Sequence, residues 1–219
     1  RYPKRPQRVL PRQWYDEPLP ASECILPYGM GRSYGDSCLN TGGKLLSTRT
    51  MNRFVHFDDA SGVLICESGV TLEELIEQCL PRGWFPPVSP GTRYVTIGGA
   101  VANDVHGKNH HVAGSFGNHV LWFELQRSNG DRLICSPDEN TDFFYATIGG
   151  LGLTGLITHV ALQLLPVTSS FMEVENIRFD NLQDFKRLSD LSVDTHDYTV
   201  AWVDCMSKGS RLGLSLIHI

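Results

Sequence analysis

The chain has 219 residues, 41% of them hydrophobic and 20% charged, with a formal net charge of −5. That size and balance suit one large folded domain, or one domain and part of another. The negative charge excludes the basic face of a nucleic-acid binder, and no apolar run approaches the ~20 residues of a membrane span.

Residues 1–22 are rich in Pro and Arg and are expected to run over the surface. After the apolar Cys24-Ile25-Leu26 comes a loop, Gly29-Met30-Gly31-Arg32-Ser33-Tyr34-Gly35. It is one residue too long for the dinucleotide fingerprint Gly-x-Gly-x-x-Gly. The following Asp36 to Gly43 has no helical period, so no helix dipole is expected to point at a phosphate there. Two readings stay open. Successive amides of a glycine-rich turn form a concave anion nest, to which Arg32, Ser33 and Tyr34 add donors; glycines mark a plain surface loop equally well.

Short strands are predicted at Lys44–Leu46 and Phe54–Phe57, and a better one at Val63–Glu67. Thr71-Leu72-Glu73-Glu74 is a capping box, in which Thr71 accepts from the Glu74 amide and Glu74 reaches back. Leu72, Leu75, Ile76, Cys79 and Leu80 follow at helical spacing, and Pro81 is expected to stop the helix. Pro86, Pro87 and Pro90 forbid regular structure up to Gly91. Val95 to Asp104 is crowded with Gly and Ala. Its bare backbone suits either a flat ring or pyrophosphate lying against the chain, or close packing of a helix on a strand.

Four of the eight histidines, His106, His110, His111 and His119, fall within fourteen residues. A metal site is disfavoured, because a glycine and an asparagine separate His106 from His110 and no acid follows Asp104 in the cluster. A polar pocket for a hydroxylated substrate beside a cofactor fits these residues better. Further on, His119–Arg127 alternates, Asn129-Gly130 is a hairpin turn and Arg132–Cys135 pairs back. Thr141–Ile148 reads as a short helix, and Leu156–Leu165 as a strand. Between them Gly150-Leu151-Gly152-Leu153-Thr154-Gly155 matches the dinucleotide fingerprint, with Glu175 beyond it. Its order, helix before and strand after, is the reverse of what that fingerprint needs, so it reads as a turn that lets backbone approach a ligand or another strand. The pattern restarts with a strand at Met172–Phe179, a helix at Leu182–Leu191 and a strand at Tyr198–Asp204, with a boundary near Thr168–Ser170. The whole is an α+β pattern, without the regular alternation of a doubly wound sheet.

The six cysteines lack a Cys-x-x-Cys pair and read as free thiols of a cytoplasmic protein. The chain opens at Arg1 with no initiator methionine or signal-peptide pattern. It closes on Leu214-Ser215-Leu216-Ile217-His218-Ile219, which one frame of a common sequencing transposon adapter encodes. Residues 214–219 are therefore expected to be a foreign tail on a gene fragment, the alternative being a real apolar strand.

Four stretches together carry a resemblance: Gly29 to Asp36, Pro90 to His111, Gly114-Ser115-Phe116-Gly117-Asn118-His119, and Gly152-Leu153-Thr154-Gly155-Leu156-Ile157. They resemble the FAD-binding oxidoreductases of the vanillyl-alcohol oxidase type over about residues 24–213. Within that superfamily the likeness is to the flavoproteins that oxidise a lipid-phosphate-linked ribose for cell-wall arabinose. The resemblance implies a PCMH-type FAD-binding domain of two α+β subdomains over residues 1–168, followed by the start of a truncated substrate domain over 169–213. It places Pro27, Tyr28, Gly29, Met30, Gly31, Arg32, Ser33, Tyr34, Gly35, Asp36 and Ser37 around the FAD pyrophosphate. Gly91, Thr92, Thr96, Ile97, Gly98, Gly99, Asn103, Asp104, Val105 and His106 would run along the flavin and ribityl chain, with Ile157 near the adenine-side backbone.

Many relatives attach their flavin through a histidine where this chain has Arg32, so the FAD is expected to be non-covalent. The implied reaction oxidises a secondary alcohol of a sugar or polyol, with hydride passing to flavin N5 and a base taking the hydroxyl proton. His106 and Lys108 are the candidates on this chain for the catalytic region, in binding and electrostatic roles. The main base is expected in a C-terminal half that family members have. An aldonolactone or alditol oxidase that uses oxygen, and an inactive flavin-binding fragment, are the competing readings. A lipid-phosphate-linked substrate, a reductase partner completing an epimerisation and a place beside the inner membrane are further implications of the resemblance.

Overall fold

The computed structural model describes residues 5–20 and 23–202, and the backbone of 215–218. Arg8–Pro11 (β1), Ile25–Tyr28 (β2) and Lys44–Ser47 (β3) form a parallel sheet in the order β1-β3-β2. Central β3 buries Leu45 and Leu46, and Leu46 packs with Met51 and Leu156 in a small core flanked by Leu10, Leu19 and Ile25. Residues 5–20 are mostly exposed, as expected of this segment, and β1 lies largely at the surface. Arg12 is the exception: it is only 1% exposed, and its guanidinium donates to the Tyr15 carbonyl at 2.8 Å and to Gln126 Oε1 at 2.7 Å. The fold supplies acceptors to one end of the guanidinium, while the buried Nε has no partner among the described residues.

The larger layer is an antiparallel five-stranded sheet. Phe54–Asp58 (β4) and Val63–Glu67 (β5) form one hairpin. The capping box then starts Leu72–Cys79 (α1): the Glu74 amide donates to Thr71 Oγ1 at 3.2 Å and the Thr71 amide to Glu74 Oε2 at 2.7 Å. Leu72, Leu75 and Cys79 form its buried stripe. The chain passes through Pro81 as a 3-10 turn, Leu80–Arg82, and reaches Trp84–Phe85 (β6). Ile97–Ala102 (α2) and His110–Ala113 (α3) are short helices.

Val120–Gln126 (β7) and Arg132–Cys135 (β8) pair across the predicted turn, where Gly130 has φ 94°, as a tight hairpin requires. Thr141–Thr147 (α4) leads to Leu156–Gln163 (β9), and Leu165–Pro166 (β10) pairs with β6. The sheet order is β4-β5-β9-β7-β8. One main core gathers Leu64, Leu75, Ile97, Val101, Phe123, Phe144, Val160 and Leu162, with the Phe123 and Phe144 rings stacked at 5.4 Å.

Beyond β10 come Glu175–Ile177 (β11), Leu182–Ser192 (α5), Thr199–Trp202 (β12) and Ser215–His218 (β13), the strands in the order β11-β13-β12. The strand predicted over Met172–Phe179 is paired only at Glu175–Ile177. That at Tyr198–Asp204 is paired over Thr199–Trp202, and Val203, Asp204 and Cys205 lie outside the described residues. Ser215–His218, set apart above as a foreign tail, pairs antiparallel with both neighbours.

Candidate functional site

A cavity of about 600 Å³ opens where the two sheets meet, within the range usual for small-molecule sites. Its walls come from chain segments far apart in sequence. Pro27 and Tyr28 end β2, Thr48 follows β3, Ser68 follows β5, Thr96 and Gly98 begin α2, and Leu156 and Ile157 begin β9. The segments touch because two glycines remove what would separate them. A Cβ on Gly29 would lie 2.2 Å from Thr96 Oγ1, and one on Gly98 would lie 2.8 Å from the Ser68 Cβ.

The two glycine segments contribute differently. At the start of α2 the amides are already used: Ile97 donates to Val70 O at 2.7 Å, Gly98 to Ser68 O at 2.8 Å and Gly99 to Thr96 Oγ1 at 3.2 Å. This segment supplies space, not donors. In the first loop the amides of Met30, Arg32, Ser33 and Tyr34 have no protein acceptor among the described residues. They line the cavity beside the Arg32 guanidinium, which lies over the Tyr94 ring at 5.9 Å. Unspent donors next to a cation are what an anionic group needs.

The far end of the cavity is imidazole- and ammonium-rich. His106, Lys108 and His110 line it, with the His106 and His110 rings 5.9 Å apart and edge-on. They do not share a helix, since α3 starts at His110. His110 Nδ1 lies 3.1 Å from the Gly107 carbonyl oxygen, which fixes the ring. Asp104 sits at φ 41° and its Oδ1 accepts the Gly117 amide at 2.9 Å. This is a left-handed turn that Asp tolerates better than most residues, and it redirects the chain into the histidine segment. Thr199, Val200 and Ala201 of β12 close this end, and the Thr199 amide donates to the Lys108 carbonyl at 3.1 Å. Among the described residues no three His, Cys, Asp or Glu side chains converge as a metal site needs.

Of the residues singled out in the sequence, Gly35, Asp36, Thr92, Ile97, His111 and His119 lie outside the cavity wall. The His111 ring faces the His196 carbonyl at 3.2 Å and the His119 ring the Ala113 carbonyl at 2.8 Å. Ile97 is fully buried in the main core with its amide spent. Gly35 and Asp36 belong to a turn closed by the Leu39 amide on the Asp36 carbonyl, and Thr92 Oγ1 accepts the Tyr94 amide. The others line the wall. So do Cys38, Thr48, Ser68, Ser89, Leu151, Gly152 and Gly155, and β12, none of which the sequence reading assigned to the site. The turn at Leu151 and Gly152 carried a signal, since it reads as a place where backbone approaches a ligand or another strand. Ser68 and Ser89 carried none.

The opposite face of the large sheet holds a separate polar cluster. Glu124 accepts from Thr158 Oγ1 at 2.6 Å, from Arg132 at 2.6 Å and 2.8 Å, and lies 3.0 Å from His159 Nδ1. Burial pushes the Glu124 pKa up, but these hydrogen bonds and the Arg132 charge outweigh it and hold the group at about 2. Trp14 over Arg53 and Tyr15 against His159 strap the N-terminal segment across this face.

The family model described as an FAD binding domain matches residues 20–136. The chain is 39% identical over 195 residues to the decaprenylphosphoryl-beta-D-ribose oxidase of Mycolicibacterium smegmatis, covering 88% of this chain and 42% of that protein. It is 31% identical over 156 residues to cytokinin dehydrogenase 8 of Oryza sativa, covering 65% and 29%. Over 142 residues it is 29% identical to a putative D-arabinono-1,4-lactone oxidase of Neurospora crassa, covering 64% and 25%. The chain thus spans about two fifths or less of the length of these relatives.

Proposed function

Because this chain belongs to the FAD-binding domain family, the vanillyl-alcohol oxidase type of flavoprotein, we propose that it is the flavin-holding part of an oxidoreductase that oxidises a secondary alcohol of a sugar or polyol. Residues 1–168 make the FAD-binding domain in this reading and 169–213 the start of a substrate domain. The observation that carries it is the convergence of the first glycine loop, the bare start of α2 and the head of β9 on one cavity that ends in His106 and Lys108.

The residues present fit the group. The unspent amides of Met30, Arg32, Ser33 and Tyr34 and the Arg32 charge suit a pyrophosphate. The glycine faces at Gly98 and Gly99 leave a wall without side chains for a flat ring system. Buried hydroxyls in the wall lack protein partners. Bound there, FAD supplies a two-electron acceptor. The protein's own part is positional. Lys108 brings an ammonium with no ion-pair partner among the described residues to the substrate end. His106 and His110 offer ring nitrogens to hydroxyl groups, and Thr199 holds the Lys108 backbone in place. The base that takes the hydroxyl proton belongs, in this reading, to the further length that the relatives have.

The likeness to a decaprenylphosphoryl-ribose oxidase favours a ribose carried on a lipid phosphate; an encounter at a membrane surface and a reductase that takes the product are part of the same proposal. An oxygen-using lactone or alditol oxidase is the second reading, favoured by the likeness to the Neurospora protein. The test is to purify the complete enzyme with its flavin and follow bleaching of the flavin absorbance by ribosyl, lactone and polyol substrates. Reoxidation by oxygen, quinone or dye then separates oxidase from dehydrogenase. Flavin that none of these alcohols bleaches would remove the proposed activity.

A further inference from the structure

Five side-chain polar atoms among the described residues are enclosed without a hydrogen-bond partner, and two of them, Ser68 Oγ and Ser89 Oγ, belong to residues in the wall of the one cavity built above. Their placement differs. Ser68 follows β5, is 1% exposed and packs face to face with Gly98. Ser89 lies in the proline-rich segment before Gly91, where its backbone is pressed against Gly107, between His106 and Lys108. A buried hydroxyl without a partner carries a standing penalty, and native folds keep few of them. Ser68 does not need the hydroxyl for its backbone. Ser68 bonds through its own amide and carbonyl to Thr158 O and the Gly98 amide. A small apolar side chain would fill either place without the penalty.

We propose that Ser68 and Ser89 are cofactor-contacting residues, each hydroxyl donating to an acceptor atom of the bound FAD. A serine needs only one χ1 rotation among three staggered wells to turn its oxygen from wall to lumen. FAD offers acceptors along its whole length: phosphate oxygens, ribityl hydroxyls, ring carbonyls and ring nitrogens. The inference rests on the FAD reading above and adds two contacts to it.

The measurement is FAD dissociation from wild type, Ser68→Ala and Ser89→Ala, read by recovery of free-flavin fluorescence, together with the Tm of each apoprotein. Removing a hydroxyl that bonds only to the cofactor weakens FAD binding about three- to tenfold and leaves the apo Tm unchanged or higher, because the orphan is gone. A hydroxyl that serves the protein gives the opposite pattern, a lower apo Tm with FAD affinity within about twofold of wild type, and that result overturns the proposal for that residue. A loss of affinity that tracks a lowered apo Tm overturns it as well. Ser68→Cys and Ser89→Cys, close in shape and poor as donors, repeat the comparison if an alanine variant does not fold. Wild-type protein that binds no FAD would instead remove the underlying reading, so the two failures are distinct.

Discussion

Replacing Gly29 by alanine tests whether the first loop and α2 meet as described. The new Cβ would lie 2.2 Å from Thr96 Oγ1, 2.9 Å from its Cγ2 and 3.1 Å from its Cβ. Thr96 is 2% exposed. Its Oγ1 also accepts the Gly99 amide, so displacing it removes the N-cap of α2. Gly29 is not one of the positive-φ glycines, so backbone strain adds nothing. Overpacking costs about 1–3 kcal/mol and loss of a cap about 1 kcal/mol, together about 2–4 kcal/mol. For a chain of this size that lowers Tm by roughly 4–16 °C, read by thermal or urea unfolding. Adding Gly29→Ala to Thr96→Ala should cost much less than Gly29→Ala costs the wild type, because only the 3.1 Å approach to the residue-96 Cβ remains while the cap is lost in both backgrounds. A Gly29→Ala protein within about 0.5 kcal/mol of wild type, or a double variant whose losses simply add, would refute the contact.

Three further outcomes follow from the site and its surroundings. The Glu124 carboxyl is held at about 2, below its ordinary value. Its stabilisation is therefore full above about pH 4.5 and lost as pH falls toward 2. The stability gap between wild type and Glu124→Gln should narrow over that window in acid unfolding; a constant gap refutes the assignment. Lys108→Ala in the complete enzyme should lower alcohol turnover about 10- to 100-fold, the worth of a charged hydrogen bond, while the visible flavin spectrum stays unchanged. Full activity removes Lys108 from the account. Arg32 stands where many relatives carry a flavin-linking histidine, so acid precipitation should release all yellow colour to the supernatant. Colour in the pellet contradicts non-covalent binding.

Elements whose signals are local were legible in the sequence. The capping box at Thr71 and Glu74, the strand Val63–Glu67, the Asn129-Gly130 turn and the α4 and α5 helices all announce themselves within one window of residues. What depends on distant partners was not. Strand β1 is four residues of a Pro- and Arg-rich segment and exists through its pairing with Lys44–Ser47. Arg12 reads as a solvated charge, yet Gln126, far along the chain, accepts from it inside the protein. Within the glycine segments sequence shows where side chains are missing. It does not show which amides are spent, and only the fold reveals that those of Ile97, Gly98 and Gly99 are. Likewise β12 reaches the cavity from beyond the FAD segment through the Thr199 bond to Lys108, a contact with no counterpart in local pattern.

Strand β9 belongs to both hydrophobic clusters: Leu156 sits in the small one under the parallel sheet and Val160 and Leu162 in the large one. It therefore acts as a splint across the seam, with the cavity lying over its first two residues. The layers cannot hinge apart at that point without pulling a buried strand out of register. At the cavity's edge stand Arg32 and the almost fully solvated Tyr34.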